Sequence, residues 1–124
     1  MDIKRKLEIE CEKRPDIEVC GFIVESDEGF DIMACENRST DPENEFYIPA
    51  KEFLYAKTKH KIVGIYHSHP HGTSDPSEFD EKTSDLICYP FIIYCLKTNK
   101  FGIHVPQFSD ANPESLKKLK EELL

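Results

Sequence analysis

Ile62-Val63-Gly64-Ile65-Tyr66-His67-Ser68-His69-Pro70 is the stretch on which the reading of this 124-residue chain turns. Its first five residues are β-branched, aromatic or small, and bounded by turn-forming sequence, so they read as a buried strand. Residues two apart on a strand share a face, so His67 and His69 can converge on one point at its end. His71-Gly72-Thr73-Ser74 is loop by composition. Asp75-Pro76-Ser77-Glu78 then reads as a helix start, with Asp75 as N-cap, Pro76 at the first helical position and Glu78 completing a capping-box spacing. On such a helix Ser77 and Asp80 are three apart and lie on one face. Two imidazoles and one carboxylate make a three-ligand zinc site, the number that catalytic zinc usually takes from protein. Ser77 supplies a spare hydroxyl suited to a developing oxyanion. A lone His-x-His carries little information. The full string, His-x-His, seven residues, Ser, two residues, Asp, is expected by chance on the order of once in 10,000 chains of this length.

Working outward, residues 2–13 form an amphipathic pattern around Ile3 and Leu7, stopped by Arg14-Pro15. Residues 17–25 read as an apolar strand, Ser26 to Gly29 as a hairpin turn, and 30–36 as the returning strand. Residues 37–45 read as loop, and Phe46-Tyr47-Ile48 as a short strand. A helix follows from Pro49 to about Lys59, with Phe53, Leu54 and Ala56 for its buried stripe. The histidine strand spans 62–69 and the next helix 75 to about 85. Strands at 90–96 and 101–105 flank Lys97 to Lys100, and residues 112–124 form a closing helix with Pro113 in its first turn. Strands and helices alternate within one expected domain, 1–124, large enough to bury a core without cross-links.

The His67-to-Asp80 string resembles the signature of the JAMM (MPN-plus) metallopeptidases. That signature also has an upstream Glu, two residues and a Gly before an apolar strand, which Glu18-Val19-Cys20-Gly21-Phe22-Ile23-Val24 matches. The resemblance implies a cytidine-deaminase-like α/β fold, a mixed β-sheet flanked by helices. It implies Zn2+ held by His67, His69 and Asp80. It gives Glu18 the role of general base toward the nucleophilic water, and Ser77 that of stabilising the tetrahedral intermediate. The implied reaction is hydrolysis of a peptide or isopeptide amide in a protein or peptide substrate, including one with a ubiquitin-like domain whose extended tail lies along a sheet edge. Family members that cut ubiquitin chains carry clamping insertions around the metal helix. Only Leu86 to Tyr89 separate that helix from the next expected strand here, so efficient ubiquitin-chain cleavage is not expected.

The intervening segments Cys20 to Val24, Cys35-Glu36-Asn37, and Asp41-Pro42-Glu43 leading to Phe46-Tyr47-Ile48-Pro49 resemble the amino-terminal domain of lambda-like phage tail-tip assembly proteins. That implies a substrate among tail proteins, or a ubiquitin-like tail, during tail assembly. Two alternatives remain open: a processing peptidase for a sulfur-carrier ubiquitin-like protein or its adduct, and a metal-bearing scaffold module without turnover.

Acidic residues outnumber basic ones 24 to 16, for a net charge of −8. That balance disfavours phosphate backbones and anionic membranes, so no nucleic-acid or membrane partner is expected. No apolar run approaches membrane-spanning length and the start is charged, so the expected location is the cytoplasm, the host's if phage-encoded. The five cysteines, Cys11, Cys20, Cys35, Cys88 and Cys95, form no Cys-x-x-Cys pair and read as small buried hydrophobes in a reducing compartment. Cys20 as a nucleophile beside Glu18 is the sharper alternative, but the metal reading already supplies a complete mechanism. His71 reads as an exposed loop residue, His60 as surface, and His104 as facing solvent or a polar groove. Ser84 and Asp85 read as helix-end caps.

Overall fold

The computed structural model describes all 124 residues. The elements run α1 (Ile3–Glu12), β1 (Cys20–Ser26), β2 (Gly29–Cys35), α2 (Ala50–Lys59), β3 (Lys61–His69), α3 (Glu78–Ile87), β4 (Phe91–Cys95), β5 (Lys100–His104) and α4 (Pro113–Leu123). The strands form one sheet in the order β2-β1-β3-β4-β5. Only β3 and β4 are parallel. The remaining pairs are antiparallel, so the sheet is mixed, as expected. No helix is long and apolar enough to cross a membrane.

Each sheet face carries its own core. Ile3, Leu7 and Cys11 of α1 and Leu119 and Leu123 of α4 pack with Ile23, Val63, Tyr66 and Ile92 on one face. On the other, Ala56 of α2 packs with Cys20, Phe22, Phe46, Ile62, Ile65 and Phe91, with Ile87 of α3 against the cluster. Along β3 the alternation of faces is interrupted. Ile23 pairs with Gly64 but Val24 with Ile62, leaving Val63 as an extra residue, a β-bulge. Beyond the bulge Ile65 and His67 share the α2–α3 face, while Tyr66 points to α1 and α4. Gly21 permits this packing: a Cβ there would lie 2.5 Å from both the Met33 carbonyl and the Tyr66 hydroxyl.

Several expected boundaries move. Phe46-Tyr47-Ile48 is not a strand. Its backbone is satisfied locally, Tyr47 N–H by Asn37 Oδ1 at 3.1 Å and Tyr47 C=O by Arg38 N–H at 3.0 Å. Helix α3 begins at Glu78 with Ser77 as its N-cap, two residues later than the Asp75-Pro76 signal suggested. Strand β1 begins at Cys20, so Glu18 precedes it rather than lying within it. Leu54 is 64% exposed and takes no part in the buried stripe of α2, which is built on Ala56 and Phe53. All five cysteines are free.

Candidate metal centre

The centre is assembled where β3 ends and α3 begins. His67 is wholly buried and His69 nearly so, at the carboxyl end of β3. Ser77 is the N-cap of α3: its Oγ accepts from Asp80 N–H at 3.0 Å, and its own N–H donates to Asp80 Oδ2 at 2.9 Å. This reciprocal capping box satisfies two of the four free N–H groups of the helix start and fixes the Asp80 carboxylate. Ser77 therefore caps the helix instead of sharing its face with Asp80. Because Oγ accepts from Asp80, its O–H proton is free to donate elsewhere.

Asp80 Oδ1 lies 3.0 Å from His67 Nε2, and Asp80 Oδ2 lies 3.0 Å from His69 Nε2. The His69 contact is a hydrogen bond. The His67 contact is short but off hydrogen-bond geometry, and neither nitrogen of His67 has a hydrogen-bond partner. His69 Nδ1 donates to the Thr73 carbonyl at 2.8 Å, which turns Nε2 toward Asp80. The Phe46 ring stacks on His67 with centroids 4.5 Å apart at 26°.

Glu18 joins from the segment before β1. Its N–H donates to Pro42 C=O at 2.7 Å, and its carbonyl accepts from Asn37 Nδ2 at 2.8 Å. Ser68, between the two histidines but pointing the other way, accepts from Val19 N–H through Oγ at 2.8 Å, and Ser68 N–H donates to Val19 C=O at 2.9 Å. These bonds tie the Glu18 segment to the end of β3. One donor atom each from Glu18, His67, His69 and Asp80 lies within 4.8 Å of the other three.

Burial pushes the Glu18 carboxyl up to about 8, against an opposing pull from His69. Burial lowers His67 more than the adjacent Asp80 carboxylate raises it, so its imidazole stays neutral and its lone pair available. Burial also pulls His69 down, but the bonds to Asp80 and to the Thr73 carbonyl win and raise it to about 9. Asp80 is well below the usual carboxylate range: burial opposes this, but its close contacts with both imidazoles prevail.

Those features form a test of fit for a metal ion. Glu18 Oε1 and both His67 nitrogens are buried polar atoms with no protein partner. Buried polar groups without partners are rare and costly. Tetrahedral zinc at about 2.0–2.1 Å from its ligands spaces them about 3.3 Å apart, near the 3.0 Å separations seen around Asp80. The donor set suits zinc.

The structure thus brings Glu18, His67, His69 and Asp80 together. Ser77 and Glu18 share the wall of a cavity of about 150 Å3 with Glu43, Asn44, His69, Pro70 and His71, none of them hydrophobic. His71 is exposed and 3.4 Å from Glu43. His60 is exposed. His104 is paired with Asp85 at 2.9 Å, and Ser84 Oγ donates to Tyr89 C=O at 2.6 Å, so neither α3 residue reaches the centre. Cys20 is fully buried and its thiol is pushed up to about 12 by burial, so it supplies no thiolate. Sequence reasoning missed Phe46, Ser68, Asn37 and the Thr73 carbonyl. Ser68 alone had a signal, as the inward-pointing polar residue between two ligands on a buried strand.

The sequence profile of the prokaryotic homologs of the JAB domain matches residues 4–108. The tail tip assembly protein K of Escherichia phage N15 is 30% identical over 76 residues, 61% of this chain and 31% of that protein, so the chain spans about a third of its length. Among solved structures, a Desulfitobacterium hafniense protein has a TM-score of 0.60 at 16% identity, covering 90% of this chain and 94% of its own. A JAB1/MPN domain protein from Archaeoglobus fulgidus has a TM-score of 0.53 at 18% identity, covering 88% of each.

Proposed function

The chain belongs to the prokaryotic homologs of the JAB domain, and on that premise we propose that it is a zinc-dependent peptidase or isopeptidase. The observation that carries this reading is Glu18: its buried Oε1 has no partner, and one of its carboxylate oxygens lies within 4.8 Å of donor atoms of His67, His69 and Asp80. A fold that needed only packing has no use for four such groups in one place.

In this reading His67, His69 and Asp80 hold the ion. Bound zinc supplies Lewis-acid polarisation of a carbonyl and an acidified water. Glu18 takes a proton from the attacking water at Oε1 as the new C–O bond forms. Its value of about 8 is set mainly by burial. A divalent cation held by the neighbouring ligands would lower that value, toward the range where a general base works best. Ser77 O–H donates to the substrate carbonyl oxygen as negative charge develops there. Glu18 then returns its proton to the nitrogen as the C–N bond breaks, leaving an acid and an amine. The polar cavity shared by Glu18 and Ser77 lets both reach one substrate group.

The substrate is a protein or peptide in phage tail assembly, a setting supported by the likeness to the tail tip assembly protein K. Cys88 to Pro90 are the only residues between α3 and β4. That short link leaves no chain for a clamp on two ubiquitins, which favours a flexible peptide or tail over a ubiquitin chain. Elemental analysis of the purified chain should give about one zinc per molecule. Peptide hydrolysis should disappear in Glu18→Gln with zinc retained. No zinc after reconstitution would overturn the proposal.

A further inference from the structure

Next to the metal centre, between the 46–50 segment, α2 and α3, lies a cavity of about 310 Å3. Eight of its nine lining residues are hydrophobic, among them Phe46, Ile48, Phe53, Phe79 and Ile87, with Thr83 the sole polar one. From this pocket we infer a specificity subsite that takes a leucine- or phenylalanine-sized side chain of the substrate within two residues of the scissile bond. The inference rests on the peptidase reading and names the substrate class of that same site.

Continuity with the centre carries the assignment. Phe46 is a wall of the pocket and also stacks on His67. Phe79 lies between Ser77 and Asp80 in sequence, so the first turn of α3 separates the pocket from the polar cavity. That polar cavity has no hydrophobic lining, so apolar recognition falls on the α2–α3 side alone. Successive Cα atoms of an extended peptide are about 3.8 Å apart. A peptide whose carbonyl accepts from Ser77 therefore brings a side chain one or two residues away to Phe79. The volume corresponds to roughly ten waters at about 30 Å3 each, enough for one large apolar side chain. Phe79 is 38% exposed and Tyr47 at the rim 55% exposed. Such rings at the mouth of an apolar pocket are characteristic of recognition surfaces.

Two measurements on the full chain test this. The zinc-loaded protein is given a fluorogenic peptide library randomised on both sides of the cleaved bond. One position is expected to be dominated by Leu and Phe, with Ala there lowering kcat/KM by roughly 10- to 100-fold. Thr83→Trp, which fills the pocket, and Phe79→Ala, which opens it, should each erase that preference while zinc content stays at the wild-type level. Separately, capped amides of leucine, phenylalanine, alanine and lysine are titrated into zinc-free protein and followed by NMR. Leucine and phenylalanine amides should shift the Phe46, Phe79 and Ile87 resonances, and Thr83→Trp should abolish the shifts. Cleavage without apolar preference, or shifts equal for all four amides or absent, overturns the subsite. Selective shifts with no cleavage of any library member show a pocket for apolar side chains but overturn the peptidase reading, and the subsite with it.

Discussion

β1 and β3 run the length of the sheet, and each of their two ends carries a shielded carboxylate. At one end Glu25 pairs in register with Lys61. Its Oε1 accepts from Ser115 Oγ at 2.5 Å and lies 3.0 Å from Lys61 Nζ, and its Oε2 lies 3.9 Å from Lys118 Nζ. The Ser115 hydrogen bond above all holds Glu25 below the usual carboxylate range. At the other end Glu18 has an oxygen with no partner and is pushed up to about 8. The same two strands thus satisfy one carboxylate and desolvate the other. Glu25 contributes to the fold as an ionised group. Glu18 is held against its own ionisation, the condition under which a cation or a proton transfer at that position is most favoured.

Removing a ligand should break the contrast most completely. Asp80→Ala should bind no zinc and have no turnover, whereas Glu25→Ala should keep one zinc per chain. Zinc should raise the melting temperature of the wild type, by about 4 kcal/mol of stability at 1,000 times Kd. Asp80→Ala should show no such rise in calorimetry with and without chelator.

Glu18→Gln comes next. It should keep zinc and lower kcat by about 10²–10⁴-fold. The metal-free protein should separate the two carboxylates by pH. Glu18 is raised from 4.5 to about 8, so its stabilising neutral form is fully present below pH 4.5 and lost as pH rises through 8. The span is on the order of 4–5 kcal/mol. Urea unfolding of metal-free Glu18→Gln should lose that decline and keep a smaller fall above pH 6.5 from His69, whose raised value owes part of its rise to Glu18.

Ser77→Ala should lower kcat by about 10²–10³-fold, as loss of one oxyanion donor does, and cost about 1 kcal/mol of stability through the lost cap. Single-turnover kinetics beside thermal unfolding separates the two effects. The smallest change is expected from Glu25→Gln. Its lowered carboxyl gives stability that is present above pH 4.5 and lost as pH falls through its folded value. The variant should therefore cost about 1–2 kcal/mol at pH 7 and progressively less in acid, a pH trend opposite to that at Glu18.

Much of this was legible in the residues. The order of elements followed from apolar periodicity and turn residues, and the mixed sheet and likeness to JAB domains were expected from the His67-to-Asp80 string with Glu18. The start of α3 was misread because two capping boxes overlap there, Asp75 with Glu78 and Ser77 with Asp80. Local propensity does not choose between them. The choice falls to Asp80, whose carboxylate caps Ser77 N–H and approaches both imidazoles only if the helix begins at Glu78. Phe46-Tyr47-Ile48 looked like a strand because aromatic and β-branched residues favour strands. Without a neighbouring strand, Phe46 instead covers His67 and Asn37 closes the backbone. The likeness of Glu18 to a strand residue failed for a similar reason: its N–H is taken by the Pro42 carbonyl, not by a sheet partner.

By itself the sequence determined that two imidazoles share one face at a strand end, because residues two apart on a strand do so whatever surrounds them. It did not determine which face. The bulge at Val63 reverses the alternation, turning Ile65 and His67 to the side where α2 and α3 lie. In unbroken register they would share the face of Val63, beneath α1 and α4 and away from Asp80. A bulge is a mismatch between two strands distant in the chain, and one strand's sequence cannot announce it. Only the pairing of β3 with β1 decided that the histidines and Asp80 meet.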